Sequence, residues 1–263
     1  MPRSMKISRQ PWPDLSSGKR SCRGRFPFFS LLAACRDLLF PPHCLVCGLA
    51  LADHTLPLLC ATCQSRLVPV TSPLCRCCGT PFTTGRDHLC GACLRRPPSF
   101  ALARSAFVYQ EPLAGLILKL KFRRQLAGLA SLAHLACRTD GFATLARPDL
   151  VVPVPLHRDR LKKRGYNQAL LLARQCFGGS VPVLADVLRK DRATPSQSRL
   201  SGAARRRNLS GVFSVAHPEL IAGGKILLFD DVFTTGSTTA ACSQALCKAG
   251  AARVEIFTLA RSI

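Results

Sequence analysis

The sequence predicts an α/β protein: an open parallel sheet with helices on both faces, preceded by a small double zinc ribbon. Three observations predict this fold class. The first is a series of four Cys-x-x-Cys pairs, all before residue 94. The second is an alternation of apolar strands and helical stretches from about residue 101 onward, which is typical of βαβ units. The third is ILLFDDVFTTGSTT at 226–239, an apolar strand that ends in two aspartates and a run of small hydroxyl residues.

The composition indicates a folded chain with anionic partners. Its 263 residues are enough for two domains, and 48% hydrophobic against 19% charged residues excludes wholesale disorder. No apolar run reaches the roughly 18 to 20 residues that a membrane-spanning helix needs. The 37 Lys and Arg residues against 14 Asp and Glu residues give a net charge of +23. This excess indicates polyanionic partners, either nucleic acid or phosphorylated small molecules.

Residues 1–29 are predicted to form a disordered basic tail, because cations alternate there with Pro, Ser and Gly. The apolar stretch Phe26 to Cys35 has two interpretations. Basic residues followed by an apolar segment ending in Leu-Ala-Ala-Cys resemble a bacterial lipoprotein signal, whereas Ser30 to Leu39 has the spacing of a short amphipathic helix. Pro27 and the downstream cysteines favour the helix. We therefore expect a cytoplasmic protein, either free or peripheral at the inner face of the membrane.

Residues 30–100 are predicted to comprise that helix and a double zinc ribbon. Each Cys-x-x-Cys turn directs two thiolates at one tetrahedral Zn²⁺, and two turns complete a four-cysteine site. The regular spacing favours zinc over a disulfide framework. Because thiolates fill every position, both zinc ions are expected to be structural. The eight predicted ligands are Cys44, Cys47, Cys60, Cys63, Cys75, Cys78, Cys90 and Cys93.

Spacing alone leaves the pairing of these turns open. Sequential quartets give two ribbons in tandem, and interleaved quartets are also possible. Cys77 competes with Cys78, although Gly79 favours Cys78 because metal-binding turns often need a residue that tolerates positive φ. The cysteines already suffice as ligands, so the nearby histidines are predicted to be loop residues. These are His43, His54 and His88.

Residues 101–263 are predicted to form the α/β domain. Extended segments are expected at Ser105–Tyr109, Leu150–Val154, Val181–Leu188, Lys225–Phe229 and Arg253–Leu259. Helices are expected at Pro112–Leu120, Leu126–Cys137, Asn167–Cys176 and Ser237–Ala249. Apolar and β-branched runs of this kind are typical of strands buried in a parallel sheet. Ligands of such sheets bind at the carboxyl ends of the strands.

The strand at Lys225–Phe229 delivers Asp230 and Asp231 to that edge. The following loop, Thr234–Thr238, opens a helix whose free N–H groups can bind a phosphate, and Gly236 lets the backbone approach closely. Two adjacent carboxylates repel phosphate but accept hydrogen bonds from a polyol. The combination predicts a sugar phosphate site. The alternative is an ordinary helix cap after a buried strand.

This stretch resembles the phosphoribosyl pyrophosphate (PRPP) motif of type I phosphoribosyltransferases. Three further strings are similar to those of the ComF family, which is tied to natural competence in bacteria. They are LKF at 120–122, VVPVPLHRDRLKKRGYNQA at 151–169 and TPSQSRLSGAARRRNLSGVF at 194–213. The resemblance covers the chain from about Leu38 onward. It implies a double zinc ribbon ahead of a phosphoribosyltransferase domain that binds PRPP with Mg²⁺.

The resemblance also implies roles for single residues. Asp230 and Asp231 would hold the ribose hydroxyls and, as the catalytic residues, stabilise positive charge while pyrophosphate is displaced. The segment 155–157 and nearby cations would bind the pyrophosphate, and the basic segment 189–208 would close over it. The 5′-phosphate would lie on Thr234, Thr235, Gly236, Ser237 and Thr238. The candidates for the pyrophosphate and the closing loop are His157, Arg158, Arg164, Arg192, Gln197, Arg206 and Asn208.

The alternative function is single-stranded DNA binding, with PRPP as a regulatory or non-catalytic ligand. Zinc ribbons often bind nucleic acid, and the segments 119–124, 158–164 and 199–207 could line a basic groove. Aromatic residues are sparse at 6%; Phe122 is well placed for base stacking, whereas Tyr166 is expected to pack internally. Single-stranded DNA and a competence helicase are therefore expected partners beside PRPP. The sequence predicts no particular acceptor and no glutaminase chemistry.

Overall fold

The computed structural model describes residues 41–122, 126–192 and 211–263. The predicted basic tail, the predicted helix Ser30–Leu39 and most of the predicted closing loop lie outside these residues. From Pro41 to Ile263 the chain forms one compact unit. Among the described residues, no helix combines the length and the apolar composition that crossing a membrane requires. The predicted boundary near residue 100 stays a prediction.

Strands and helices alternate along the described α/β part. The strands are β1 (Leu102–Val108), β2 (Leu150–Pro153), β3 (Leu188–Lys190), β4 (Phe213–Val215), β5 (Lys225–Phe233) and β6 (Arg253–Arg261). The first helices are α1 (Ala61–Ser65), α2 (Gly91–Arg95), α3 (Leu113–Phe122) and α4 (Gly128–Ala136). They are followed by α5 (Asp140–Ala143), α6 (Arg158–Arg164), α7 (Gln168–Phe177) and α8 (Ser237–Lys248), with a 3-10 turn at Pro218–Leu220.

Four strands form one parallel sheet in the order β1-β6-β5-β2. This confirms the predicted open parallel sheet. The remaining pair, β3 and β4, is a separate antiparallel ribbon. The predicted extended segment Val181–Leu188 joins the main sheet only through a bridge from Val183 to Val151, and β3 begins at its last residue.

Helices cover both faces of the sheet, as predicted. Because successive side chains of a strand point to opposite faces, each strand contributes to two cores. On one face, four phenylalanine rings pack with centroid distances between 5.2 and 6.4 Å. They belong to α5 (Phe142), α7 (Phe177), β5 (Phe229) and β6 (Phe257). On the other face, α8, the β3–β4 ribbon and part of the cysteine-rich region share a single apolar cluster with the sheet.

The cysteine-rich region also protects the edge strand β1. The amide of Val70 donates to the carbonyl of Ala106 at 3.0 Å, and the amide of Val108 donates to the carbonyl of Val68 at 2.8 Å. An antiparallel bridge joins Pro69 to Phe107 between them. This pairing satisfies the outer edge of β1, which would otherwise be open to pairing with another chain.

Candidate functional site

The eight predicted cysteines converge on two clusters. Within each cluster, the four Sγ atoms all lie within 4.8 Å of one another. The first cluster holds Cys44, Cys47, Cys60 and Cys63, and the second holds Cys75, Cys78, Cys90 and Cys93. The pairing is therefore sequential, and the interleaved alternative is wrong.

The sulfur geometry fits structural zinc. In a tetrahedral site with Zn–S bonds of about 2.3 Å, neighbouring sulfurs lie about 3.8 Å apart. The Sγ atoms of Cys47 and Cys60 are 3.7 Å apart, and so are those of Cys78 and Cys90. Each cluster can therefore hold one Zn²⁺ through four thiolates.

Each of the two metal turns contains a glycine with positive φ, as predicted for Gly79. Gly48 has φ of 77° and Gly79 has φ of 71°. Cys78 belongs to the second cluster, whereas Cys77 directs its thiol to the carbonyl of Phe100 at 3.8 Å. The three nearby histidines are exposed and belong to neither cluster, as predicted.

The aspartate pair lies inside β5 rather than after it. The strand continues to Phe233 because β6 pairs alongside it as far as Arg261. The ammonium of Lys121 lies 2.9 Å from Oδ2 of Asp231, and the amide of Asp231 donates to Oδ1 of Asp230 at 2.9 Å. Burial and the neighbouring Asp231 raise the pKa of Asp230 to about 7.

Both aspartates line a cavity of about 220 Å³ at the carboxyl ends of β2 and β5. Four cations surround them: Lys121, Arg160, Arg164 and Lys190. The remaining lining residues are Val154, Pro155, Leu156, Asn167, Gln168, Ala169 and Thr238. Burial lowers the pKa of Lys190, as does Arg160 nearby. Carboxylates enclosed by cations suit a ligand that carries both hydroxyl groups and negative charge.

The segment that follows β2 is fixed by the start of α7. Asn167 caps this helix by accepting from the amide of Ala169 at 3.0 Å, and its side-chain nitrogen donates to the carbonyl of Val154 at 3.0 Å. Gln168 is 3% exposed, and its Oε1 accepts from Nη1 of Arg164 at 2.9 Å. Nε2 of Gln168 has no hydrogen-bond partner among the described residues. A buried donor of this kind is costly unless something else accepts from it.

The predicted pyrophosphate residues are only partly brought together. Arg164 lines the cavity, whereas His157 and Arg158 do not. His157 instead caps α6, where Nδ1 accepts from the amide of Asp159 at 3.3 Å. Arg192 donates to the carbonyl of Gly211 at 3.3 Å and is also absent from the lining. Three further candidates lie outside the described residues: Gln197, Arg206 and Asn208.

Five polar or charged cavity residues were not committed individually as site residues: Lys121, Arg160, Asn167, Gln168 and Lys190. The three cations among them lie within basic segments that were predicted to line a DNA groove, bind the pyrophosphate or close over it. Two signals could have found most of them. The LKF string contains Lys121, and the string around GYNQ contains Asn167 and Gln168. Lys190 belongs to the separate ribbon β3–β4, and the basic segment 189–208 that contains it does not show which of its side chains reaches the cavity.

The hydroxyl loop begins α8 and separates two cavities. Gly236 has φ of 70°, and a Cβ there would lie 2.5 Å from Cζ of Phe233. Oγ1 of Thr235 and Oγ of Ser237 are 2.9 Å apart. Thr238 lines the aspartate cavity, whereas 234–237 line a cavity of about 780 Å³ beneath the second cysteine cluster.

A buried arginine connects that cluster to the loop. Arg261, at the end of β6, donates from Nη1 to the carbonyl of Cys78 and from Nη2 to Oγ1 of Thr80, both at 2.6 Å. Its guanidinium carbon lies 4.5 Å from the centroid of the Phe233 ring. That ring also lies against Gly236 of the loop. The second cluster and the hydroxyl loop are thus in contact through two side chains.

Solved structures show a weak likeness. The chain is 19% identical to the allosteric regulatory enzyme of purine biosynthesis, over 49% of this chain but only 24% of that one, with a TM-score of 0.32. It is 16% identical to the purine phosphoribosyltransferase from Pyrococcus horikoshii, over 44% of this chain and 72% of that one, with a TM-score of 0.26. Likeness at this level carries no argument about function.

Sequence comparison is more informative. A family model described as a double zinc ribbon domain matches residues 35–94. The DNA utilization protein YhgH of Escherichia coli K12 is 35% identical over 86% of this chain and 100% of its own length. Competence protein F of Haemophilus influenzae is 36% identical over 78% and 90%, and competence protein ComFC of Bacillus subtilis is 30% identical over 78% and 84%. The chain therefore belongs to the ComF family.

Proposed function

We propose that this protein binds PRPP with Mg²⁺ in the aspartate cavity and transfers its phosphoribosyl group with release of pyrophosphate. The observation that carries the proposal is the pair Asp230 and Asp231 of β5, which follows directly on the end of the pairing with β2, is enclosed by four cations and shares its cavity with Thr238 of the hydroxyl loop. A sugar phosphate has the matching chemistry, because it carries both hydroxyl groups and anionic groups. We place this activity in the cytoplasm and link it to DNA uptake, in keeping with the competence names of the relatives.

The aspartates act on the ribose. Their carboxylates accept hydrogen bonds from the 2′- and 3′-hydroxyls, and Lys121 orients Asp231 through its 2.9 Å contact. As the bond from the anomeric carbon to pyrophosphate breaks, positive charge develops on the ribose. Negative charge beneath the ring stabilises that transition state. The acceptor forms the new bond at the same carbon.

The cations act on the leaving group. Arg160, Arg164 and Lys190 converge on the cavity and offset the charge of the departing pyrophosphate, which leaves with the electron pair. Nε2 of Gln168 has an open donor for one of its oxygens. When bound with PRPP, Mg²⁺ supplies further charge neutralisation, and the carboxylates of Asp230 and Asp231 are oxygen donors of the type that it prefers. The loop Thr234–Thr238 receives the 5′-phosphate.

Calorimetric titration of PRPP with Mg²⁺ tests the proposal. Asp230→Asn combined with Asp231→Asn is expected to abolish binding, while Asp53→Asn, an exposed carboxylate of the first ribbon, leaves the affinity unchanged. Unchanged PRPP affinity in the double variant would remove the ribose role. No binding to the wild-type protein would remove the proposal altogether.

The pH dependence of unfolding gives a second measurement on the same variants. The folded-state pKa of Asp230 is raised to about 7, so the native state binds more protons than the unfolded state between about pH 4 and pH 7. Asp230 therefore stabilises the folded state below pH 4, and this contribution to the free energy of unfolding is lost as the pH rises through 7. Asp230→Asn is expected to abolish this pH-dependent loss of stability and to raise the melting temperature at pH 8. A lower melting temperature at that pH would contradict the assignment.

Single-stranded DNA binding is the second candidate function. The ring of Phe122 is 70% exposed, and the guanidinium of Arg164 lies 5.4 Å from its centroid. Exposed cations of α6 continue the surface beside this pair. Tyr166 instead donates its hydroxyl to the carbonyl of Leu120, which supports the packing role. DNA that reaches this surface through a competence helicase would meet a cationic face with one stacking platform.

The salt dependence of the affinity tests the proposed binding of single-stranded DNA. Affinity for a single-stranded oligonucleotide is expected to fall steeply with added salt, because bound phosphates release counterions. Phe122→Ala is expected to weaken it about fivefold to a hundredfold, the range for one stacked base. Leu118→Ala, which removes a 44% exposed side chain of the same helix, is the control. Equal losses of oligonucleotide affinity in both variants would contradict the stacking role of Phe122.

A further inference from the structure

Two cysteines outside the zinc clusters meet between α4 and α7. Cys137 follows the last residue of α4, and Cys176 lies in the last turn of α7. The two helices pack along each other. Both cysteines are half-buried free thiols. Their side chains are in hydrogen-bond contact, with the thiol of Cys176 as the donor and the sulfur of Cys137 as the acceptor.

The helices that carry these thiols are tightly packed. Leu132 and Ala136 of α4 and Leu172 of α7 are each 1% exposed. Side chains packed in this way move little, so the fold itself keeps the ends of both helices next to each other. The eight cysteines of the zinc clusters take no part in this contact. The pair is therefore a separate group of nucleophilic side chains with a fixed geometry.

The arrangement suits a dithiol that an oxidant can close. The hydrogen bond from Cys176 lowers the pKa of Cys137 and raises the pKa of Cys176, so Cys137 ionises first. The thiolate is the form that reacts with oxidants, and a second thiol within reach converts the first product to a disulfide. In a reducing compartment such a pair stays as thiols until an oxidant arrives.

We propose that Cys137 and Cys176 form a peroxide-sensitive pair whose disulfide fastens α7 to α4. The Cys137 thiolate attacks one oxygen of hydrogen peroxide and the O–O bond breaks. The hydroxide that leaves takes up the proton that Cys137 had released and becomes water. The sulfur of Cys176 then attacks the sulfenic acid on Cys137, so that the S–S bond forms and the S–O bond breaks. The second hydroxide takes the thiol proton of Cys176, and two thiols have given two electrons to one peroxide.

The disulfide acts on the helix that reaches the aspartate cavity. α7 begins at Gln168, which lines that cavity, and Cys176 lies at its other end. The two sulfurs of a disulfide are about 2.05 Å apart, closer than two hydrogen-bonded thiols, so oxidation draws the ends of α4 and α7 together. A covalent link of this kind suppresses local opening of both helices. The pair itself does not depend on the proposed PRPP site.

Mass spectrometry of the full-length, zinc-loaded protein tests the pair. The protein is treated with one equivalent of hydrogen peroxide, its remaining thiols are alkylated, and it is digested with trypsin. Peptides 125–138 and 175–189, which contain one cysteine each, are expected to appear joined and to separate in dithiothreitol. Zinc content should stay at the value of the untreated protein. Cys137→Ser should abolish the link, whereas Cys247→Ser, which removes another half-buried thiol, should leave it intact.

A second variant and hydrogen exchange complete the test. In Cys176→Ser, peroxide should leave Cys137 as a sulfenic acid that dimedone traps, at a yield several-fold above that of the wild type. Oxidation should slow the exchange of amides at 169–177 in the wild type and leave it unchanged in Cys176→Ser. The proposal is overturned if the wild type yields no linked peptide, if zinc is released before the link forms, or if oxidation leaves the exchange of α7 unchanged.

Discussion

The two cysteine clusters carry identical ligand sets in very different surroundings. In the first ribbon, Cys47 is exposed, and polar links reach the α/β part from two loop positions: Lys119 donates to the carbonyl of Leu45, and the amide of Leu58 donates to Ser131, both at 2.9 Å. In the second, Cys75, Cys78 and Cys93 are buried within the same apolar cluster as the sheet. The two clusters therefore have the same ligands but are attached to the α/β part in different ways.

The second cluster is also tied to the sheet by two buried arginines. Arg104 of β1 donates to the carbonyls of Ala103 and Cys75, and Arg261 of β6 donates to that of Cys78. Four thiolates around one Zn²⁺ leave a net charge of about −2, which these two guanidiniums offset. The comparison teaches that the first ribbon is an attachment to the fold, while the second is part of the structure that positions the hydroxyl loop.

The largest difference is expected when one ligand of each cluster is removed. Cys47→Ser and Cys78→Ser should each cost one of the two zinc sites. Because the second cluster is part of the main core, Cys78→Ser is expected to lower the free energy of unfolding by about 4 kcal/mol, and Cys47→Ser by much less. Zinc content by mass spectrometry and urea denaturation check both. Equal destabilisation would break the comparison.

A smaller effect separates the two arginines that hold the second cluster. Arg104→Ala and Arg261→Ala should each cost about 2 kcal/mol, since each strands buried hydrogen-bond acceptors. Only Arg261 lies against Phe233 beneath the hydroxyl loop, at 4.5 Å. Hydrogen exchange of the amides at 234–238 is therefore expected to accelerate in Arg261→Ala and to stay unchanged in Arg104→Ala. Faster exchange in both would mean that the loop responds to general loss of stability.

Sequence reasoning succeeded where the functional residues are adjacent in the chain. The cysteine turns, the aspartate pair and the hydroxyl loop are each local patterns. The end of β5 was predicted too early because aspartates are unfavourable in strands, and pairing with β6 overrides that preference.

The cations around the aspartates were harder to predict because they come from separate elements. Lys121, Arg164 and Lys190 belong to α3, α6 and β3, and only the tertiary fold brings these separate elements to one cavity. Within α6, Arg160 and Arg164 are four residues apart and share a face, whereas Arg158 lies on another face. A cluster of basic residues in the sequence does not reveal which of them face the cavity.

The smallest effect compares one glycine from each region. Gly48 and Gly236 have similar φ values of 77° and 70°, so alanine strains the backbone at both, by about 1 to 2 kcal/mol. A Cβ at Gly48 would meet nothing within 4 Å, whereas at Gly236 it would lie 2.5 Å from the Phe233 ring. Gly236→Ala is therefore expected to be the more destabilising and to displace Phe233 from Arg261. Thermal unfolding of both variants and PRPP titration check this, with lost affinity expected in Gly236→Ala alone. Equal melting temperatures and retained PRPP affinity in both variants would mean that the Phe233 ring moves aside at little cost and does not position the hydroxyl loop.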